Sequence, residues 1–382
     1  MSSIGGGNIV SDGLVLALDA GNVKSFRGEP TTNIIVNGNF IDGKNGWIFN
    51  GNSNALTTTG IYHGKSSIYV NGLQWYNENG SFVSIVNVNI GTTYTLSFEY
   101  YLISGNIRFD PDGAYGGDVT LTTTGSWVKY STTFVASTYT WINFNFYGQF
   151  GVPSYYYLTN FQLEQKNHAT AFTSSSRGVD IASGGGIIGL SGNNNHGILD
   201  TNLGGSLFKG VYALDFDSIG KHIVGTIINN QPTTDATIES WIFPKTEIDL
   251  GDSMGTIIVI KGESAIYQSL SKSNPPQLAN YWYSHTPEGY FINGLSVRDQ
   301  WHHWCSVWNY SDQKLYQYID GVMVGNISTY GDAATGSSYV IGYEMVGRQF
   351  SGGIANIKVY NVALSNSQVL QNFNSTKSRF GL

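Results

Sequence analysis

The chain has 382 residues, room for two or three domains each with its own core, and 12% of them are charged, about half of the ~25% usual in soluble domains. A net charge of −7 with no Lys/Arg run argues against a nucleic-acid partner, and a hydrophobic fraction of 41% excludes wholesale disorder. The lone Cys305 excludes an internal disulfide framework and a Cys-rich zinc site. Gly (48) and Tyr (25) are abundant; Gly and Asn supply tight turns, and Tyr, Val, Ile, Thr and Phe suit half-buried pleated surfaces, so the composition reads as β.

In chain order, the opening MSSIGGGNIV carries neither a basic nor an apolar leader stretch, so no signal peptide is expected. No apolar run approaches the ~18 residues of a membrane span, and no membrane partner is expected. Residues 8–20 contain one short apolar strand. From Asn33 a coherent unit begins with NIIVNGNF, read as a strand ending in an Asn37-Gly38 hairpin turn. GWIFNG, SSIYVNG and SFVSIVNV follow. The strand TYTLSFEYYLI sets Tyr94, Leu96, Phe98 and Tyr100 on one face and Thr95, Ser97 and Glu99 on the other. WVKYSTTFVA, WINFNFYG and YYYLTNFQLEQ complete a run of strands separated by Gly, Asn, Asp and Ser, the pattern of a sandwich. Residues 166–178 read as an exit linker.

A second run starts near Gly186 and includes VYALDFDS, TIESWIFP, TIIVIKG, WHHWCSVWNY, KLYQYIDGVMVGN, SYVIGYE and GGIANIKVYNVAL. Asp320-Gly321 between two alternating segments is a hairpin signal. The tail SNSQVLQNFNS is the one helical stretch, with Ser365 as cap and Val369, Leu370 and Phe373 on a shared face.

The second run resembles the laminin-G-like, concanavalin-A-like jelly rolls. Glu239-Ser240-Trp241-Ile242, Gln300-Trp301-His302-His303-Trp304, the hairpin from Leu315-Tyr316 to Ile319-Asp320-Gly321-Val322, and Phe350 to Asn361 with Ala363-Leu364-Ser365 carry the resemblance. Asn356 stands where these proteins often have an acidic residue. Residues 33–165 resemble the carbohydrate-binding modules appended to xylanases and cellulases, through Asn37-Gly38-Asn39-Phe40 with Gly46-Trp47, the run Gly91 to Phe98, Gly125-Ser126-Trp127, and Leu158 to Glu164. In proteins of this type Gly13-Leu14-Val15-Leu16 and Asp19-Ala20-Gly21-Asn22 belong with Leu190 to Gly197. The implied fold class is all-β, two jelly-roll sandwiches with one inserted into the other. Residues 1–30 with 178–382 form the outer unit and 31–177 the insert, and insertion at an exposed loop is physically cheap.

The opening DGLVLALDAGN and the closing Asn372-Phe373-Asn374 and Arg379-Phe380-Gly381-Leu382 are also similar to bacteriophage structural proteins, especially those of cyanobacterial phages. That resemblance implies a virion protein assembled in the host cytoplasm and released by lysis: a capsid decoration, tail fibre or baseplate component. Its partners would be other virion proteins and further copies of itself, a trimer being the implied homo-oligomer. The alternative is a carbohydrate-binding adhesin for host-surface glycans.

Candidate chemistry is sparse, and no catalytic residue is assigned. Glu247, Asp249 and Asp252 nearly reproduce the three alternating carboxylates of glucan hydrolases, but Gly251 weakens the strand and the segment falls where a loop is expected. His302 and His303 are adjacent on a strand and face opposite ways, so they do not share a metal. Cys305 reads as a small core residue. No cofactor is expected, although Asp110, Asp112 and nearby Asp118 leave a calcium site open; an EF-hand is excluded because its twelfth position is Leu121. Asp215 and Asp217, either side of Phe216, could likewise face an ion. Aromatic faces stack on sugar rings, and Trp75, Tyr76, Tyr115, Tyr155 and Tyr156, with Tyr157, are read as lying in or beside loops and as the glycan-binding candidates.

Overall fold

The computed structural model describes residues 8–49, 57–73, 82–83, 85–148, 152–180, 182–201, 203–216, 220–245, 254–261, 265–271, 278–283, 289–292, 298–329, 336–343 and 348–382. They are nearly all β, in two sandwich units, one inserted into the other. One compact unit is Met1–Pro30 with Gly178–Leu382, and the other is Thr31–Arg177. Among the described residues no helix is long and apolar enough to cross a membrane.

In the inserted unit one sheet has five strands in the order Trp127–Val135, Thr93–Ser104, Ser154–Glu164, Lys65–Leu73 and Thr57–Tyr62. The facing sheet is built around Ile107–Gly113 and Trp141–Tyr147. Alternation on these strands drives Leu96, Phe98, Leu102, Phe109, Phe144, Phe146, Tyr156, Leu158 and Leu163 into one core between the sheets. The two ends of the unit meet, because Thr31–Thr32 pairs with Ser176–Arg177. Beside that pairing the buried Glu164 carboxylate accepts from Thr31 Oγ1 (2.7 Å), Thr170 N (2.8 Å) and Gln162 Nε2 (2.9 Å). Arg177 donates to Thr170 Oγ1 and the Ala171 carbonyl.

Two local expectations are corrected here. NIIVNGNF is a turn-rich loop and not a strand. Asn37, at φ 53°, donates through Nδ2 to the Gly43 and Asn45 carbonyls and accepts from Asp42 N through Oδ1. Trp47 Nε1 donates to the Asn37 carbonyl, and the Trp47 ring packs against Phe40 and Phe161, each at 4.9 Å. The side-chain amide thus closes a loop that plugs the core with Phe40. Second, Asp110 and Asp112, left open as part of a calcium site and outside the strands read from the sequence, lie in the strand Ile107–Gly113, with Pro111 buried toward the core. Pro111 is tolerated because pairing on one side of the strand, with Val119–Leu121, stops at Phe109.

In the outer unit the larger sheet runs Gly204–Phe208, Val211–Phe216, Gly352–Tyr360, Ala236–Pro244, His302–Asn309, Lys314–Ile319 and Val322–Ser328, with Leu14–Asp19 also paired to Gly352–Tyr360. Asp320 and Gly321, at φ 51° and 79°, make the expected hairpin. The facing sheet includes Ile223–Thr226, Ser338–Ile341, Met254–Lys261 and Ala265–Ser271. Ile238, Ile242, Ile258, Ile260, Trp304, Trp308, Ile357 and Val359 fill the core between them.

The helix Asn366–Thr376 has a Ser365/Gln368 capping box. It buries Val369 and Phe373, but Leu370 is 44% exposed; the third buried position is Asn372. The reason is a polar cluster beneath it, on the face of the larger sheet away from the core. Asn372 Nδ2 donates to both Glu239 oxygens (3.0 and 3.1 Å), and its Oδ1 accepts from Val10 N (2.7 Å). Lys358 Nζ lies 3.4 Å from Glu239 Oε2, and His303 Nε2 lies 3.8 Å from Oε1. Burial alone would raise the Glu239 carboxyl, but Lys358, His303 and Asn372 outweigh it and hold it at about 2. Phe380 stacks on Trp241 at 3.7 Å and 4°, and Arg379 clamps both oxygens of Asp19 (2.8 and 2.9 Å). Val10 and Asp19 therefore meet the C-terminal residues Asn372 and Arg379.

Candidate functional site

The outward face of the five-stranded sheet carries an aromatic row. Alternation that buries Phe98, Tyr100 and Tyr156 turns Glu99, Tyr101 and Tyr157 outward. Strand register then aligns them: Trp127 pairs with Tyr101, Tyr101 with Tyr157, and Tyr157 with Tyr69. Four aromatics from four strands thus stand in one line, and three strand spacings make it about 14 Å long. Tyr62, from the end of the edge strand, joins the row. Its ring lies 3.8 Å from Tyr157 at 6°, 5.2 Å from Tyr101 and 6.4 Å from Trp127. Tyr69 flanks Tyr157 at 4.7 Å, Trp127 stands 5.8 Å from Tyr101, and His63 stacks on Tyr101 at 5.3 Å. All these rings are half-buried except His63, which is exposed.

Polar groups border the row. Lys65 forms an ion pair with Glu99 and sits 5.0 Å over the Trp127 ring. Asn160, at φ 54° in an irregular stretch of the Ser154–Glu164 strand, donates through Nδ2 to Glu99 Oε1 (2.8 Å). Lys129 Nζ donates to the Thr170 carbonyl (2.8 Å), and burial lowers its pKa. Burial within the cluster, followed by the neighbouring Tyr101, raises the Tyr62 phenol; burial and Tyr69 raise that of Tyr157. Both stay neutral at physiological pH. Flat apolar ring faces beside amide, ammonium and carboxylate groups can stack on the C–H face of a sugar and bind its hydroxyls. Among the described residues bordering the row, Glu99 is the carboxylate, and Lys65 and Asn160 hold it.

The sequence candidates fare unevenly. Trp75 and Tyr76 lie outside the described residues, as do Glu247, Asp249, Asp252 and Asp217. Tyr115 packs on Phe134 (4.6 Å, 24°) and shares a hydrogen bond with Thr132, away from the row. Tyr156 is a correction. It opens no loop but lies on the inward face of its strand, fully buried, and burial pushes its phenol far up. Tyr155 is half-buried on the same strand, beside Gly72.

The three aspartates do not converge as a calcium cluster. Asp110 accepts from Tyr147 (2.5 Å), Asp112 from Asn145 (2.9 Å), and Asp118 pairs with Arg108. Among the described residues no three His, Cys, Asp or Glu side chains come together as a metal-holding group. Asp215 pairs with Lys245 at 3.0 Å. His302 bonds Asp320 (2.7 Å) while His303 faces Glu239, on opposite sides of the strand. Cys305 is buried; burial, then the Glu239 carboxylate, raises its thiol well above the ordinary value.

The row's members Tyr62, Tyr69, Tyr101 and Trp127, and its polar border Lys65, Glu99 and Asn160, were absent from the sequence candidates. Their signal is an aromatic or charged residue at the outward phase of an alternating strand, as in Glu99 and Tyr101.

Comparison with known proteins agrees with both units. Residues 32–154 match a family model described as a carbohydrate binding domain, and residues 220–370 match the concanavalin A-like lectin/glucanases superfamily. No curated protein matches the chain. Similar solved structures include the botulinum neurotoxin serotype D binding domain, 14% identical over 50% of this chain and 48% of that one, with a TM-score of 0.40. The binding domain of Paraclostridial Mosquitocidal Protein 1 is 16% identical over 50% and 49%, also at 0.40. The binding domain of botulinum neurotoxin DC, in complex with rat synaptotagmin II, is 15% identical over 50% and 48%, at 0.39. The chain spans about half the length of these structures.

Proposed function

We propose that this protein is a carbohydrate-binding adhesin whose inserted unit holds a surface glycan on the aromatic row, with no chemistry of its own. The observation that carries the reading is the in-register line Trp127, Tyr101, Tyr157 and Tyr69 on the open face of a unit that matches a carbohydrate binding domain. Binding without catalysis is supported by Glu99, a carboxylate committed to Lys65 and Asn160 and so poorly placed to act as a free acid or base. Neither calcium nor another cofactor enters this reading. The test is a glycan array probed with the full chain and with Trp127→Ala, the fold of the variant being checked by circular dichroism. Binding that is lost in the variant supports the site; equal binding by both places the sugar elsewhere.

Display on a phage particle is a second reading, supported by the resemblance of DGLVLALDAGN and of the closing residues to bacteriophage structural proteins. The two are compatible, since a virion component that grips host glycans is an adhesin. Assembly with other virion proteins, and trimerisation, belong to this reading. Finding the chain at fixed stoichiometry in purified infectious particles supports it; finding it only in the particle-free supernatant overturns it.

A further inference from the structure

We propose that Tyr62 is a built-in occupant of the sugar-stacking position, so that the glycan must displace it to reach Tyr157. This rests on the glycan-binding reading above and adds to it a residue that tunes affinity and selectivity. Tyr101 and Tyr157 are directly opposite one another on neighbouring strands, yet the ring lying flat on Tyr157 is that of Tyr62, at 3.8 Å and 6°. A pyranose stacking on Tyr157 would need that same layer. Tyr69, on the next strand, flanks Tyr157 at 4.7 Å. With Tyr62 in place Tyr157 is therefore flanked by two tyrosines, and the Tyr62 and Tyr101 rings stand nearly perpendicular at 79°.

Tyr62 is also placed to move. It ends the edge strand Thr57–Tyr62, most of whose residues are exposed, and precedes a two-residue turn, His63 and Gly64 at φ 45° and 77°. The backbone can stay fixed while the ring leaves, because a rotation about χ1 carries it off the sheet face. Lys65, its hairpin partner, remains anchored by Glu99. Withdrawal opens a slot walled by Tyr157 and Tyr101, with Asn160, Glu99 and Lys65 at the border. The ligand class is a neutral oligosaccharide with an equatorially substituted ring, flat enough to enter between two aromatic walls. Of the lysines at the border, Lys65 is paired with Glu99 and Lys129 donates to the Thr170 carbonyl, so neither is held ready for an acidic sugar.

The experiment is titration calorimetry of the full chain against soluble neutral β-1,4-linked glucose, xylose and N-acetylglucosamine oligomers, comparing wild type, Tyr62→Ala, Tyr62→Phe and Trp127→Ala. Removing a competing aromatic pair raises the fraction of open slot, so Tyr62→Ala tightens binding about three- to tenfold. Tyr62→Phe, which keeps the ring, stays within about twofold of wild type, and Trp127→Ala weakens binding. Tyr62→Ala that binds equally or more weakly while melting like wild type overturns the displacement, and weaker binding makes Tyr62 part of the platform. If wild type and Tyr62→Ala both bind none of these oligomers and nothing on a glycan array, the glycan reading itself falls, and the displacement falls with it.

Discussion

Replacing Lys358 by Met removes the ammonium that lies 3.4 Å from Glu239 Oε2 while keeping most of the side-chain volume. Glu239 is left as a carboxylate with no solvent exposure, held by Asn372 and with His303 nearby. The magnitude can be reached in two ways. Lowering a carboxyl from its ordinary 4.5 to about 2, at ~1.36 kcal/mol for each factor of ten, corresponds to about 3 kcal/mol of native-state stabilisation. Removing one partner of a buried ion pair generally costs ~3–5 kcal/mol. For a unit of this size each kcal/mol moves the melting temperature by ~2–4 °C, so the variant's outer unit should melt about 6–20 °C lower at pH 7.

The sign with pH follows from the folded value lying below the unfolded one. The Glu239 contribution is complete above about pH 4.5 and is lost as pH falls toward about 2. The gap between wild type and Lys358→Met therefore narrows on acidification, because the stranded carboxyl of the variant takes up a proton first. Differential scanning calorimetry at pH 7 and pH 3.5 reads both effects, with the inserted unit's transition as an internal control. The double variant Glu239→Gln/Lys358→Met should recover much of the loss. A Lys358→Met protein melting within about 2 °C of wild type at pH 7 would falsify the assignment of Lys358 as the neutralising partner.

Other outcomes follow from the same contacts. Gly38→Ala sets a Cβ 2.1 Å from the Phe161 carbonyl oxygen, a backbone atom, and should cost the inserted unit about 2–4 kcal/mol by chemical denaturation. Arg379→Ala removes the Nη1 contact with both Asp19 oxygens and the Nη2 bond to the Tyr212 carbonyl, and should lower the stability of the outer unit by about 1–3 kcal/mol, leaving the inserted unit's transition in place. Cys305, buried and with its thiol raised, should remain unmodified by maleimide at pH 7 until the protein unfolds, as mass spectrometry of the native and denatured chain will show.

The fold class was legible because β patterning is local. TYTLSFEYYLI alternates within itself, and Asp320-Gly321 signals its hairpin by residue type alone. NIIVNGNF misleads for the same reason: Asn37-Gly38 has hairpin chemistry, but the Asn37 side chain bonds 5 to 8 residues ahead and Phe161 sits behind Gly38, partners invisible in a short window. Ile107–Gly113 is missing from the strands read in the sequence because Pro111 and two aspartates are strand-poor residues, and register alone shows that one side of the strand is open there. Leu370, expected on the shared face of the helix, is exposed and Asn372 is buried, because the surface below carries Glu239, whose demand for a donor outweighs apolar burial.

The candidate site was harder to read. Tyr155, Tyr156 and Tyr157 are consecutive, so only the phase of the strand separates the buried Tyr156 from the outward Tyr157. Tyr101 meets Tyr157 and Trp127 meets Tyr101 through strand pairing, and Tyr62 reaches Tyr157 from the edge strand. A row of rings is a property of register, and register is a tertiary fact.

The most direct test of the account is a crystal structure of the protein with the oligosaccharide that scores highest on the glycan array. A sugar ring should stack on the outward face of the five-stranded sheet, in contact with Tyr101 and Trp127 and hydrogen-bonded to Asn160 or Lys65. A sugar bound at the loops that end the sheets, or on the face carrying Asp110 and Asn145, would contradict it.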